Sequence, residues 1–362
     1  MSTQGARRET AVDRLAVTRV IPANESVPRT VAGDLFRAVA AGQPRRLVTG
    51  VAFAVLAIAA SVLVARRLTD SSWPLANVRP LLAAAAGFAY VASFVFRARG
   101  WHRLFPPGQC PDQARCLASV GAAAASGAVL PFRLDYLVKV GVLRKLGGIR
   151  IGLEAIVLSI ISLGMIDAIA MLPLAISATA TSGSALRGPL LIVVAFGVCC
   201  CTLLVVGVRL LRLPLLRRSR RLRAVTEQVA CHTTPHGRRS AIVAWFYLFA
   251  CWSSRAFGSA ALLAALGLSF SPTIALSLIC LGAAAAVIPI TSGGAVVNAG
   301  ASAAILLALG VGKDIAINFS LASGLLLVMS ALVVTFSGIV GSLAIGALAR
   351  PQTAATSLVL HR

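Results

Sequence analysis

Two ionisable residues stand where lipid would make them costly. Asp167 lies in SLGMIDAIAML and Arg255 in CWSSRAFGS, each deep inside an apolar run. A lone charge at the centre of a bilayer costs at least about 2.5–3.5 kcal/mol, so each must face a protein interior or a wet cavity. Asp167 falls sixteen residues past Ile151 and Arg255 fourteen past Ala241, the cytoplasmic starts of their spans. Similar depth predicts that they face the bundle interior and pair. The pair is either purely structural, or it leaves Arg255 to receive an anionic headgroup and Asp167 to carry a proton if transport is coupled.

A second constellation reads LPFRLDYLVKV and holds Arg133, Asp135, Tyr136 and Lys139. On a helix Asp135 and Lys139 are neighbours one turn apart and pair. Arg133, beside the break at Pro131, is then the less committed cation, and guanidinium and ammonium groups at such a break suit phosphate. The competing reading is a set of interfacial side chains that snorkel to water. A third constellation, IPITSGGAVVNAG, holds Thr291, Ser292, Gly293, Gly294 and Asn298. The glycines could turn backbone amides toward an anion, with the hydroxyls and the amide as neutral donors. Its competitor is a packing kink. Asp314, at a helix start ahead of Asn318, reads as a cap.

The last two constellations sit in interrupted apolar stretches. Residues 282–300 run through Pro289 and the two glycines, and residues 121–133 run GAAAASGAVLPFR. Proline removes a helix hydrogen bond and glycine loosens the helix. Irregular backbone at membrane depth survives only where protein or a water-filled cavity covers it. Paired interruptions in the two halves of a membrane protein point to a transport site.

The surrounding chain supplies the membrane. Of 362 residues, 58% are hydrophobic and 12% charged, with a mean hydropathy of +0.88; soluble domains average about 25% charged. The net charge of +23 lies mostly in loops, with nine arginines between 209 and 239 and eight before the first apolar run. That is the positive-inside pattern beside anionic lipid, and it excludes nucleic acid as the partner. The eight cysteines show no metal spacing and read as small apolar filler. No HExxH, Walker or GxSxG motif occurs, and no acid pair falls in an exterior loop, so neither an enzyme nor a cofactor is expected.

Residues 1–45 read as a disordered basic cytoplasmic tail, 46–349 as one transmembrane domain with a basic loop at 209–240, and 350–362 as a short cytoplasmic tail. Charge placement fixes the topology. Spans at 47–65 and 80–96 return the chain to the cytoplasm, and the basic loop must also be inside. Segment 189–208 leads into it, so 151–176 starts inside and 116–131 begins and ends on one side. Sixteen residues at about 1.5 Å each cannot cross twice, so 116–131 dips in and returns, turning near 126–131. The alternative is a full crossing that leaves Arg144 and Lys145 outside. Segment 241–267 runs outward, 274–289 returns and breaks, 293–310 goes back out, fully or as a hairpin, and 315–348 comes in. The fold class is an all-α polytopic membrane protein of about six to eight transmembrane helices with two interrupted or re-entrant elements. Their opposite entry is what an inverted repeat produces.

Three blocks, FVFRARGWHRLF, LPFRLDYLVKVGVLRKLGG and IPITSGGAVVNAGASAAILLALGVGKDIAI, are similar to the lysylphosphatidylglycerol synthase transmembrane-region family. The resemblance covers about residues 45–349. It implies a lipid-flipping membrane domain, with Pro131, Arg133, Lys139 and Asp167 at matching motif positions. Asp135 and Tyr136 stand where glycine and glutamate are usual, and Ser292, Gly293 and Gly294 form the later block without its glutamate. Only fourteen residues follow Leu348, so no aminoacyl-transferase domain is expected in this sequence. The expected function is translocation of an anionic lipid or a polyprenyl-phosphate-linked glycan in the plasma membrane, with both termini cytoplasmic. The expected partner is that lipid, with a homodimer or an envelope-synthesis protein as further partners. The alternative is a non-transporting partner that assists envelope lipid or glycan assembly.

Overall fold

The computed structural model describes residues 78–105, 108–128, 130, 134–146, 151–210, 235–287 and 294–359. Among them there is no strand. The helices are α1 (Pro80–His102), α2 (Gln113–Gly127), α3 (Asp135–Leu146), α4 (Leu153–Thr181), α5 (Ser184–Leu210), α6 (Pro235–Ala265), α7 (Pro272–Val287), α8 (Gly294–Ala308) and α9 (Lys313–Val359). α1, α4, α5, α6 and α9 each contain an apolar stretch long enough to cross a membrane. The protein is therefore a multi-pass membrane protein. The expected first span, 47–65, and the expected tail, 1–45, lie outside the described residues.

α1 and α6 form the central antiparallel pair. The Arg79 amide donates to the Ala265 carbonyl at one end, Tyr90 and Ser259 share a hydroxyl hydrogen bond of 3.2 Å midway, and Gly100 abuts Ala244 and Leu248 at the other. Small residues make this close approach feasible, as in other membrane helix pairs: a Cβ on Gly258 would touch the Ala86 carbonyl and the Ala89 side chain, both at 3.3 Å. α4 also runs antiparallel to α1, with the Trp101 indole donating to Ser159 and Arg97 meeting Asp167. Large apolar side chains such as Phe196, Phe336 and Leu343 face outward, which costs nothing against lipid.

Two helical hairpins complete the bundle, each built of helices too short to span. In the first, a Cβ on Gly127 would lie 3.2 Å from Asp135 Cβ, and the Ser119 hydroxyl donates to the Lys139 carbonyl at 2.5 Å. These pairs make α2 and α3 antiparallel. Cys110, just before α2, packs on His102 at the basic end of α1, so the hairpin enters from that end. The expected dip is present, but its return leg is α3 rather than the last residues of 116–131. The reason is length: fifteen residues of α2 advance about 22 Å as a helix, so the chain needs a second helix to come back.

The second hairpin enters from the opposite end. Leu278 of α7 and Leu306 of α8 share one buried cluster with Ala261, Leu262 and Leu263 near the end of α6 and with Ala316, Phe319 and Ala322 near the start of α9. Ser277 of α7 bonds Ser182, just past α4. Thus α7 leads inward and α8 returns to the far end, where Gly310, at φ +78°, turns the chain into α9. The glycine is needed there because other residues rarely adopt that backbone.

α2 is pressed against α9 along two glycines. A Cβ on Gly121 would meet Thr335 Oγ1 at 2.5 Å and the Ala331 carbonyl at 2.7 Å; one on Gly338 would strike the Ala118 backbone and the Ala114 carbonyl, the latter at 2.8 Å. Backbone cannot yield as a side-chain tip can. Gly338→Ala is therefore expected to cost about 1–3 kcal/mol, the usual range for overpacking. Gly164→Ala, with open space around its Cβ position, provides the control. The check is the thermal unfolding midpoint in detergent, and equal midpoints for the two variants would show the seam to be loose.

Candidate functional site

The first hairpin encloses a cavity of about 180 Å³ against α1 and α6, lined by Phe94, Arg97, Val120, Ala123, Ala124, Asp135, Tyr136, Lys139 and Arg255. Three of those side chains are cationic. α1 contributes Arg97, α3 contributes Lys139 and α6 contributes Arg255. The alanines of α2 leave the room, because any longer side chain there would fill it.

Each cation is held differently. Arg97 Nη2 donates to Asp167 Oδ2 at 2.5 Å, and the Trp252 indole donates to the other oxygen, Oδ1, at 2.7 Å. Both carboxylate oxygens thus accept, as a fixed counter-ion does. Arg255 lies with its Cζ 5.1 Å from the Trp252 ring and 5.3 Å from Phe94, and its Nε donates to the Ser93 hydroxyl at 3.3 Å. Lys139 is 5% exposed, with Nζ 4.0 Å from the Trp101 ring. Cation–π contacts of this kind contribute about 0.5–2 kcal/mol and compensate part of the lost hydration. Among the described residues no carboxylate lies within ion-pair distance of Arg255.

The expected pairing of Asp167 with Arg255 is corrected by this geometry. Both face the interior, but Asp167 pairs with Arg97. α1 continues to His102 rather than ending at Phe96, so Arg97 is built into the bundle instead of opening a loop. Sequence reasoning missed Arg97, Trp252, Trp101 and Phe94. Their signal was present: aromatic residues recur within a turn or so of the deep cations, Phe94 three before Arg97 and Trp252 three before Arg255.

Asp135, Tyr136 and Lys139 line the same cavity, with Tyr136 40% exposed. Arg133, Thr291, Ser292 and Gly293 lie outside the described residues; Gly294 opens α8 and Asn298 falls within it. No group of three metal-ligating side chains occurs among the described residues. Cys110 and His102 touch at 3.3 Å, but burial raises the thiol above its ordinary value, the opposite of what a nucleophile needs.

What the arrangement can do chemically is hold an anion: two guanidiniums and an ammonium converge on a small, aromatic-walled space toward the basic end of α1. No curated protein and no solved structure matches the chain. The family model described as the lysylphosphatidylglycerol synthase TM region matches residues 47–338, the full extent of the bundle and both hairpins up to the Gly338 seam, and the chain belongs to that family.

Proposed function

We propose that this protein translocates an anionic lipid, or a polyprenyl-phosphate-linked glycan, across the plasma membrane without altering it chemically. The observation that carries the reading is the convergence of Arg97, Lys139 and Arg255 on one partly open cavity inside the bundle. Buried cations are costly unless an anion repays their lost hydration, and Asp167 serves only one of them. A headgroup phosphate, with its acyl or prenyl chains left in lipid, supplies the missing charge.

The two hairpins favour movement over static binding. Each reaches only part way, and they enter from opposite ends, so each can uncover the middle of the bundle from its own side. Alternating access in repeat-built transporters works this way. Arg99, Arg103, Arg115, Arg144 and Lys145 gather at the end where α1 and α3 finish and α2 begins, and we assign that end to the cytoplasm by the positive-inside rule. α9, which starts at the far end, then finishes on the cytoplasmic side, and a span at 47–65 would bring the N-terminus to the same side.

The test is reconstitution in phosphatidylcholine vesicles containing a trace of head-labelled phosphatidylglycerol or of a polyprenyl-phosphate sugar. An impermeant quencher reports how fast inner-leaflet label reaches the outside. Faster crossing of an anionic lipid than in protein-free vesicles is expected. No acceleration with either class would sink the proposal and favour the non-transporting partner.

A further inference from the structure

Arg97 lines the cavity, whereas Asp167, its ion-pair partner, does not. Of the three cations in the site, Arg97 is already neutralised from behind, Lys139 rests on the Trp101 ring, and Arg255 has no carboxylate partner among the described residues. Trp252 touches Arg97, Arg255 and Asp167. Its ring lies 5.8 Å from the Arg97 guanidinium and 5.1 Å from that of Arg255, and its N–H bonds the carboxylate oxygen that Arg97 does not use.

We propose that Asp167 is an internal stand-in for substrate: an incoming phosphodiester headgroup displaces it from Arg97 and bridges Arg97 and Arg255, while the Trp252 N–H retains the displaced carboxylate. This rests on the reading of the cavity as a headgroup site. Exchange of one anion for another means that Arg97 is never buried unpaired, in the empty or the loaded state, which keeps both states close in energy. Trp252 keeps one hydrogen bond on Asp167 throughout, so the carboxylate is not orphaned either. Phe94 and Trp252 pack their rings beside the Arg255 guanidinium and its Nε bonds Ser93, which leaves the Nη groups for the phosphate. Release runs the exchange backward, with Asp167 competing the headgroup off Arg97. The same competition makes Asp167 weaken binding and speed departure.

The experiment measures half-saturating phosphatidylglycerol and maximal crossing rate in the vesicle assay. Asp167→Asn removes the competitor: half-saturation is expected to fall about tenfold, as when a competent state goes from a tenth to fully populated, and the maximal rate to fall with it. Trp252→Phe keeps a ring beneath both guanidiniums but frees Asp167 to hold Arg97 more tightly. Half-saturation is expected to rise about threefold, the worth of a modest hydrogen bond. Opposite shifts support the proposal; a merely structural role weakens binding in both variants and overturns it. Where Asp167→Asn does not insert, Trp252→Phe decides alone, and an unchanged or lower half-saturation overturns the exchange. Wild-type protein that moves no anionic lipid overturns the headgroup reading itself. Inhibition by inorganic phosphate at the concentration where phosphatidylglycerol half-saturates assigns the site to free phosphate and overturns the lipid assignment.

Discussion

Arg97→Ala is expected to lower stability by about 3–5 kcal/mol, the cost of leaving a buried charge without its partner. The carboxylate it abandons is 9% exposed and keeps only the Trp252 N–H. Removing both charges behaves differently: a buried pair replaced by apolar groups is often neutral or better, because two desolvation penalties vanish together. The double variant Arg97→Ala with Asp167→Ala should thus recover most of the lost stability while moving no anionic lipid. Unfolding midpoints of the two single variants and the double variant form the cycle that isolates the coupling. If the two single losses simply add in the double variant, the ion pair contributes nothing and the 2.5 Å contact is incidental.

Arg255→Gln is expected to do the reverse, with small effect on stability and large effect on transport. The substitution gives up two aromatic contacts and a hydrogen bond to Ser93, whose hydroxyl also donates to the Tyr90 carbonyl at 2.7 Å. It strands no carboxylate. A hydrogen bond to a charged group contributes about 1.5–3 kcal/mol, so losing the Arg255 contact to phosphate should slow anionic-lipid crossing by about ten- to a hundredfold. Crossing rates in vesicles and the unfolding midpoint, measured on one preparation, provide the check. A wild-type rate with the guanidinium gone would leave Arg255 as packing for Phe94 and Trp252.

The architecture was legible where one physical rule dominated. Loop charge implied that 116–131 enters and leaves on one side; a hairpin does enter there, but it takes α2 and α3 together, and 116–131 supplies only the inward leg. The break expected at Pro289 lies outside the described residues, between the end of α7 at Val287 and the start of α8 at Gly294. The depth of Asp167 was legible because an apolar run around a carboxylate leaves it few places to go. Its partner was not. Arg97 stood in a row with Arg99, His102 and Arg103, and a basic row after an apolar run reads as the water side of a membrane. What extends α1 past it is tertiary: Trp101 reaching Ser159, and Gly100 admitting Leu248. For Lys139 the aromatic neighbour was hidden for a similar reason. A helical wheel offers it Asp135, but no local rule announces that an indole from another helix will cover it.

The seam between α2 and α9 carries a mechanical consequence. α9 is one continuous helix from Lys313 onward. At one end it packs against α8 through Ala316, Phe319 and Ala322 beside Leu306; further along, it locks into α2 at Thr335 and Gly338. It is a rod that touches both hairpins. Because backbone meets backbone at the glycines, α2 cannot tilt by much unless the rod tilts with it. A rod pivoting near its middle moves its two ends in opposite senses. Opening at the basic end would then press the far end shut, and the two gates would alternate without any signal passing through the charged centre.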